Sequence, residues 1–273
     1  MKKRIRVFIL LVATLFATVN VVAQESDRLE GKRSIASGGY NFWLYTPDGY
    51  DANAGEAYPL IISLHGASLC GRNLQRVLRY GPLDAVSKGM RIPAVIIAPQ
   101  NPGGAWNPSK INDLLEWTAS NYNVDRERVY VLGMSLGGYG TMDFAGSYPD
   151  KVAAAMALCG GCSLKDQQGL GDVPLWIIHG TADRAVGISQ SKSVVKKLES
   201  AGNDNRLRYD WLPGASHGAL ARVFYLKDTY TWLFSHSLSD RARSVNRDLT
   251  ITNSSLTNVY RSIPPRTTRL LAK

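Results

Sequence analysis

The stretch Val129-Tyr130-Val131-Leu132-Gly133-Met134-Ser135-Leu136-Gly137-Gly138 decides the fold. Its first four residues read as a strand buried on both faces. From Leu136 to Ser147 apolar residues recur at three- and four-residue spacing, as they do along a helix. Between the two stands a glycine-x-serine-x-glycine motif in the strand–turn–helix context that a nucleophilic serine needs. The glycines permit a sharp turn and close strand approach, and the helix N-terminus aims free N–H groups and a positive dipole at developing negative charge. A glycine-rich turn with a helix-capping serine is the plainer alternative, and the flanking elements favour Ser135 as nucleophile.

Outward from this turn, short apolar runs alternate with amphipathic segments. Pro59–His65, Ala94–Ala98, Val129–Gly133, Val152–Leu158, Leu175–His179 and Leu207–Leu212 read as strands. Leu74–Val86, Ile111–Asn121, Leu136–Ser147, Ser189–Ser200 and Ala219–Leu233 read as helices. Strands apolar on both faces and separated by helices imply an α/β class, a mostly parallel sheet covered by helices on both faces. Ahead of them, Ser34 to Thr46 alternates Tyr40, Phe42 and Leu44 before the turn signal Pro47-Asp48-Gly49, which predicts an N-terminal antiparallel edge hairpin. Leu249–Thr252 reads as one further strand.

A serine hydroxyl needs a base to take its proton, and the chain has four histidines. His65 and His179 each end a strand and precede glycine, positions suited to a structural hydrogen-bonding niche. His236, at a helix C-terminus, reads as a cap. His217, in the small-residue loop Pro213-Gly214-Ala215-Ser216-His217-Gly218 after the last core strand, fits the base. The orienting acid should lie between serine and histidine in the chain. Asp183, just beyond the strand Leu175–His179, fits best, with Asp172 as the alternative. The oxyanion hole then calls for the Leu136 amide and the Ala67 amide, the latter from the turn that follows Leu64-His65-Gly66. Trp106, in Asn101-Pro102-Gly103-Gly104-Ala105-Trp106-Asn107, is a candidate for stacking on a sugar or aryl ring of the substrate, although loop tryptophans more often pack on the protein.

At the N-terminus, Lys2, Lys3, Arg4 and Arg6 precede an apolar run from Val7 to Val19 and small residues before Gln24, the pattern of a signal peptide over residues 1–23. The run is too short and too interrupted for a membrane span. Export to the periplasm or the extracellular space follows. The chain then divides into a catalytic body over 24–236 and a basic C-terminal appendix over 237–273. The formal charge of +10 lies mostly in those two ends, the last segment holding seven basic residues against two acidic ones. That tail could contact an anionic envelope surface. No interleaving of aromatic and basic residues points to nucleic acid. Three cysteines, Cys70, Cys159 and Cys162, allow one disulfide and one free thiol in an oxidising compartment. The Cys159-x-x-Cys162 spacing lacks the second pair that a structural metal site needs.

The runs Leu64-His65-Gly66-Ala67, Ala98-Pro99-Gln100 with Trp106, Gly133-Met134-Ser135-Leu136-Gly137-Gly138, Leu158-Cys159-Gly160-Gly161, His179-Gly180 through Asp183, and Pro213-Gly214 through His217 resemble exported bacterial esterases related to feruloyl esterases, polyhydroxybutyrate depolymerases and "predicted peptidases". The resemblance spans about residues 34 to 235. It implies an α/β-hydrolase fold, a Ser135–Asp183–His217 triad with Ala67 and Leu136 as oxyanion donors, and cleavage of a carboxylic ester on an acylated carbohydrate or a small aryl or alkyl group, with no metal or organic cofactor. Relatives often carry tryptophan shortly after the histidine, where this chain has Ala219-Leu220-Ala221, and the basic tail is not part of their pattern. A peptidase, an amidase or an acyltransferase would share the triad, whereas a non-catalytic binding protein would be expected to have lost one of its members.

Overall fold

The computed structural model describes residues 28–264 and 271–272. The expected signal peptide lies outside the described residues, as do Arg266, Arg269 and Lys273 of the basic tail. Among the described residues, nine strands form one sheet: β1 (Arg28–Lys32), β2 (Asn41–Thr46), β3 (Tyr58–Leu64), β4 (Val95–Gln100), β5 (Val124–Met134), β6 (Ala154–Leu158), β7 (Leu175–Gly180), β8 (Leu207–Leu212) and β9 (Leu271–Ala272). Their order is β8-β7-β6-β5-β3-β4-β2-β1-β9. Strands β3 to β8 are mutually parallel, and β2 runs antiparallel to both β4 and β1.

Alternation along the central strands sorts their side chains onto two faces. Leu60, Ile62, Leu64, Val131 and Ile177 join the helices α2 (Pro108–Asn121), α3 (Leu136–Ser147) and α4 (Ser189–Ser200) in one core. Ile61, Tyr130, Leu132, Trp176 and Ile178 face α1 (Pro82–Ser87), α5 (Lys227–Phe234) and α6 (Asn253–Asn258) in the other. A parallel sheet covered on both faces has no solvent face to spare at its centre, which is why β3, β4, β6, β7 and the second half of β5 are mainly apolar, while the edge strand β8 carries Arg208 and Asp210.

Two expected helices are each divided. The segment 74–86 is a 3₁₀ helix over Leu74–Arg79 followed by α1, because Gly81 adopts φ 104° and Pro82 begins the next helix. Residues 219–233 are likewise a 3₁₀ helix, His217–Tyr225, and then α5, with the extended Leu226 between them. The first arm of the edge hairpin is β1, upstream of Ser34. Leu249–Thr252 is not a strand and leads instead into α6, whose Thr252 forms a capping box with Ser255.

Residues 238–261 lie against the body. Ile251, Leu256 and Val259 are buried in the α1/α5 core. The Arg243 guanidinium donates to the carbonyls of Pro149 and Val152, and Arg247 donates to Leu207 O at 3.0 Å. These two cations of the tail are thus spent on backbone carbonyls. In the other direction, Arg208 of β8 donates to the carbonyls of Asn246 and Leu249.

Candidate active site

The order of elements reverses at β3: the chain moves from β3 outward to β4, then returns to β5 on the other side. A crevice opens at the carboxyl ends of strands where such a reversal occurs. Ala67 follows β3 there, and Ser135 follows β5. Ser135 has φ 59° and ψ −122°, a strained left-handed backbone for a residue with a side chain. Only glycine fits around it. A Cβ on Gly137 would stand 1.9 Å from Leu64 O, and one on Gly133 would stand 2.4 Å from Gly137 O.

His217 and Asp183 meet at the ends of β8 and β7. The Asp183 side chain is fully buried, and its Oδ2 accepts from His217 Nδ1 at 2.7 Å. Its other oxygen accepts from the amides of Ala185 and Val186 at 2.8 and 2.9 Å. Burial alone would raise the carboxyl's pKa; the Val186 amide, His217 and the Ala185 amide outweigh it, and the net shift is downward. The acid therefore stays ionised. With its Nδ1 proton committed to Asp183, His217 keeps a free lone pair on Nε2.

His179 stands behind the acid. Its Nε2 is 3.3 Å from Asp183 Oδ2 and 2.9 Å from Val186 O, and its Nδ1 is 2.8 Å from Ser191 Oγ, which donates to Gly160 O. Burial lowers its pKa. His65 fills the matching niche under the first turn, where Nδ1 donates to Gly66 O at 2.8 Å and Nε2 accepts from Asn101 N at 3.0 Å. Both occupy the structural niches expected of them, and His236 donates from Nδ1 to Trp232 O at the end of α5.

The turn carrying Ala67 is held by side chains from three directions. Tyr80 Oη accepts from Gly66 N at 2.7 Å, Arg76 donates to Ser68 O at 2.6 Å, and Trp106 Nε1 donates to His65 O at 3.2 Å. Among the described residues the amides of Ala67 and Leu136 each open a helical turn and donate to no protein group. Trp106, a candidate for substrate stacking from sequence, is only 3% exposed and packs edge-on against Tyr40 and His65. Its ring is enclosed because Gly140 of α3 leaves room for it, a Cβ there falling 2.6 Å from the indole. Its role is to brace the turn.

Sequence reasoning missed Tyr80, which no motif marks, and the placement of Cys159. All three cysteines are free thiols, so the one disulfide they allow is not formed. Cys159 Sγ lies within 4.8 Å of ligating atoms of both Asp183 and His217. On the open side of His217 is a cleft of about 590 Å³ lined by Ala182, Arg184, Ala185, Ser216, His217 and Gly218.

Comparison with known proteins agrees with this architecture. Over 166 residues the chain is 26% identical to the bifunctional acetylxylan esterase/xylanase XynS20E of Neocallimastix patriciarum, covering 58% of this chain and 23% of that protein. It is 26% identical to acetylxylan esterase A of Aspergillus ficuum over 147 residues, 47% of this chain and 46% of the relative. Poly(3-hydroxyalkanoate) depolymerase C of Paucimonas lemoignei is 26% identical over 170 residues, 54% and 39% of the two chains. The chain thus spans less than half the length of each of these relatives. Among solved structures, a thermostable esterase superposes with a TM-score of 0.60 at 26% identity, over 72% of this chain and 59% of its own. The feruloyl esterase module of Clostridium thermocellum, complexed with sinapinate, shares the fold with a TM-score of 0.54 at 15% identity, over 74% of this chain and 86% of its own. The fold is the α/β-hydrolase fold. The dienelactone hydrolase family model matches residues 85–226, more than half of the 273 residues and a stretch that contains Ser135, Asp183 and His217, so the chain belongs to the dienelactone hydrolase family.

Proposed function

We propose that the protein is an exported serine esterase that cleaves a carboxylic ester through Ser135, His217 and Asp183. The observation that carries this reading is the 2.7 Å contact of His217 Nδ1 with a buried, ionised Asp183, which leaves Nε2 free to act as a base. In the reaction, Nε2 takes the Ser135 proton and the alkoxide attacks the ester carbonyl. The Ala67 and Leu136 amides hold the oxyanion. The imidazolium then returns its proton to the departing alcohol, and water, activated the same way, releases the acid from the acyl-enzyme.

The names of the relatives and the shape of the cleft both favour an acylated carbohydrate as substrate. The cleft beside His217 is open, and four of its six lining residues are alanine, serine or glycine, which leaves space for a bulky alcohol to depart. Export rests on the signal-peptide pattern of residues 1–23.

The test is hydrolysis of p-nitrophenyl acetate, methyl ferulate and acetylated xylan by residues 24–273, beside Ser135→Ala and His217→Ala. The expected result is turnover by the wild type and background by both variants. A folded wild type that is inert on all three, or a Ser135→Ala variant that keeps the activity, overturns the reading.

A further inference from the structure

Ester hydrolysis as described makes no use of Cys159, yet the fold places it at the centre of the site. It follows directly on β6 with φ 40°, a left-handed backbone that a non-glycine residue adopts only when its surroundings impose it. Its side chain is fully buried and unbridged. Its Sγ, a carboxylate oxygen of Asp183 and a ring nitrogen of His217 all lie within 4.8 Å of one another.

We infer that Cys159, Asp183 and His217 form a binding site for a thiophilic divalent cation of the zinc or cadmium type, and that its occupation shuts the triad off reversibly. Sulfur, imidazole nitrogen and carboxylate oxygen are the donor types zinc prefers, at about 2.3, 2.0 and 2.1 Å, and three protein ligands leave the fourth position to water. Tetrahedral ligands around such an ion stand roughly 3.5 Å apart, so the sulfur has at most about an ångström to close, while Asp183 Oδ2 and His217 Nδ1, 2.7 Å apart, must open to admit the ion. The His217 side chain is 25% exposed and forms part of the cleft wall, which gives the ion its way in.

The binding step balances without an oxidant or reductant. The Cys159 thiol releases one proton to solvent, and the thiolate binds the metal. His217 moves its own proton from Nδ1 to Nε2 and gives the Nδ1 lone pair to the metal, while Asp183 exchanges a hydrogen bond for a metal bond. With Nε2 protonated and Nδ1 metallated, the ring cannot accept the Ser135 proton. Magnesium and calcium, which take oxygen ligands, should not compete.

The inhibitory consequence rests on the triad reading, whereas the binding does not, and the experiment separates them. Cadmium is titrated into a Cys70→Ser/Cys162→Ser variant, in which Cys159 is the sole remaining thiol, and into the same protein carrying Ser135→Ala. The ultraviolet cadmium–thiolate band is expected to saturate at one equivalent in both, and to be absent when Cys159→Ala is added. Ester hydrolysis should fall with the same apparent affinity and return with EDTA. Loss of an outer-shell partner weakens metal sites by about 10–100-fold, so Cys159→Ala should weaken inhibition by at least about tenfold relative to its own metal-free rate. Equal inhibition of the Cys159→Ala protein, or no thiolate band at saturating cadmium, overturns the proposal. A band without an effect on turnover keeps the site and rejects its action on the triad.

Discussion

Tyr80 illustrates how far a site depends on the side chains that hold its backbone. Its hydroxyl holds the Gly66 amide immediately before Ala67. Tyr80→Phe leaves that amide unpaired, at a cost of about 1–3 kcal/mol. Because the turn carries the proposed oxyanion donor Ala67, kcat should fall between about ten- and a hundredfold with little change in KM, as small misplacements do; steady-state kinetics on an aryl ester read this. Asp183→Asn should act more severely, lowering kcat by about 10⁴-fold, because the amide favours the wrong imidazole tautomer. His65 makes a different prediction. Burial lowers its pKa from 6.5 to about 4. The unfolded chain therefore takes up a proton as the pH falls through about 6.5, while the folded protein resists until about 4. Stability is fully present above the first value and declines across that window, by up to about 3 kcal/mol from this residue. His179 and His236 are shifted in the same direction. Urea unfolding midpoints should hold steady from pH 8 to 7 and drop from pH 7 to 5.

Among the elements, the strand-to-helix turn at Ser135 tolerates least. Gly137→Ala would drive a methyl group into the Leu64 carbonyl. Neither β3 nor α3 can shift without disturbing the other, so a loss of more than about 3 kcal/mol in unfolding free energy is expected, with Ser135 displaced. This element was fully legible in sequence, because its motif, its strand and its helix are contiguous. So were β3, β4, β6 and β7, which are mainly apolar, whereas only the second half of β5 was read because Asp125, Arg126, Glu127 and Arg128 occupy its first half. The breaks inside 74–86 and 219–233 were harder to see, since apolar spacing continues across Gly81-Pro82 and across Leu226. The first hairpin arm escaped because Arg28-Leu29-Glu30-Gly31-Lys32 buries only Leu29. Trp106 and Cys159 share a different difficulty. Whether a loop tryptophan is exposed, or which way a cysteine beyond a strand end points, depends on partners far away in the chain, His65 and Asp183 respectively.

For the whole molecule, the sheet's two cores are not equally self-sufficient. The α1/α5 core includes Ile251, Leu256 and Val259 from the last described stretch. Burying three such side chains contributes about 5 kcal/mol or more, comparable with the entire stability of an ordinary domain. A chain ending at Ser237 should therefore unfold well below the intact protein's Tm or fail to accumulate in soluble form. Thermal unfolding of the truncated and intact chains decides it. If the segment were a detachable basic appendix, the two curves would coincide.

That same segment reaches the catalytic half of the molecule. Asn253, at the start of α6, donates from its side chain to Pro213 O at 2.6 Å, in the loop that carries His217. The parts of the proposed triad consequently mature at different moments of synthesis. A growing chain that has emerged as far as Gly161 already possesses Ser135, its tight turn and both adjoining strands. The loop bearing His217 is anchored by Thr181, which accepts from Gly214 N at 2.8 Å, and gains its tie to Asn253 once residue 253 has arrived. The last brace on the loop of the proposed base therefore forms near the close of the chain's own making.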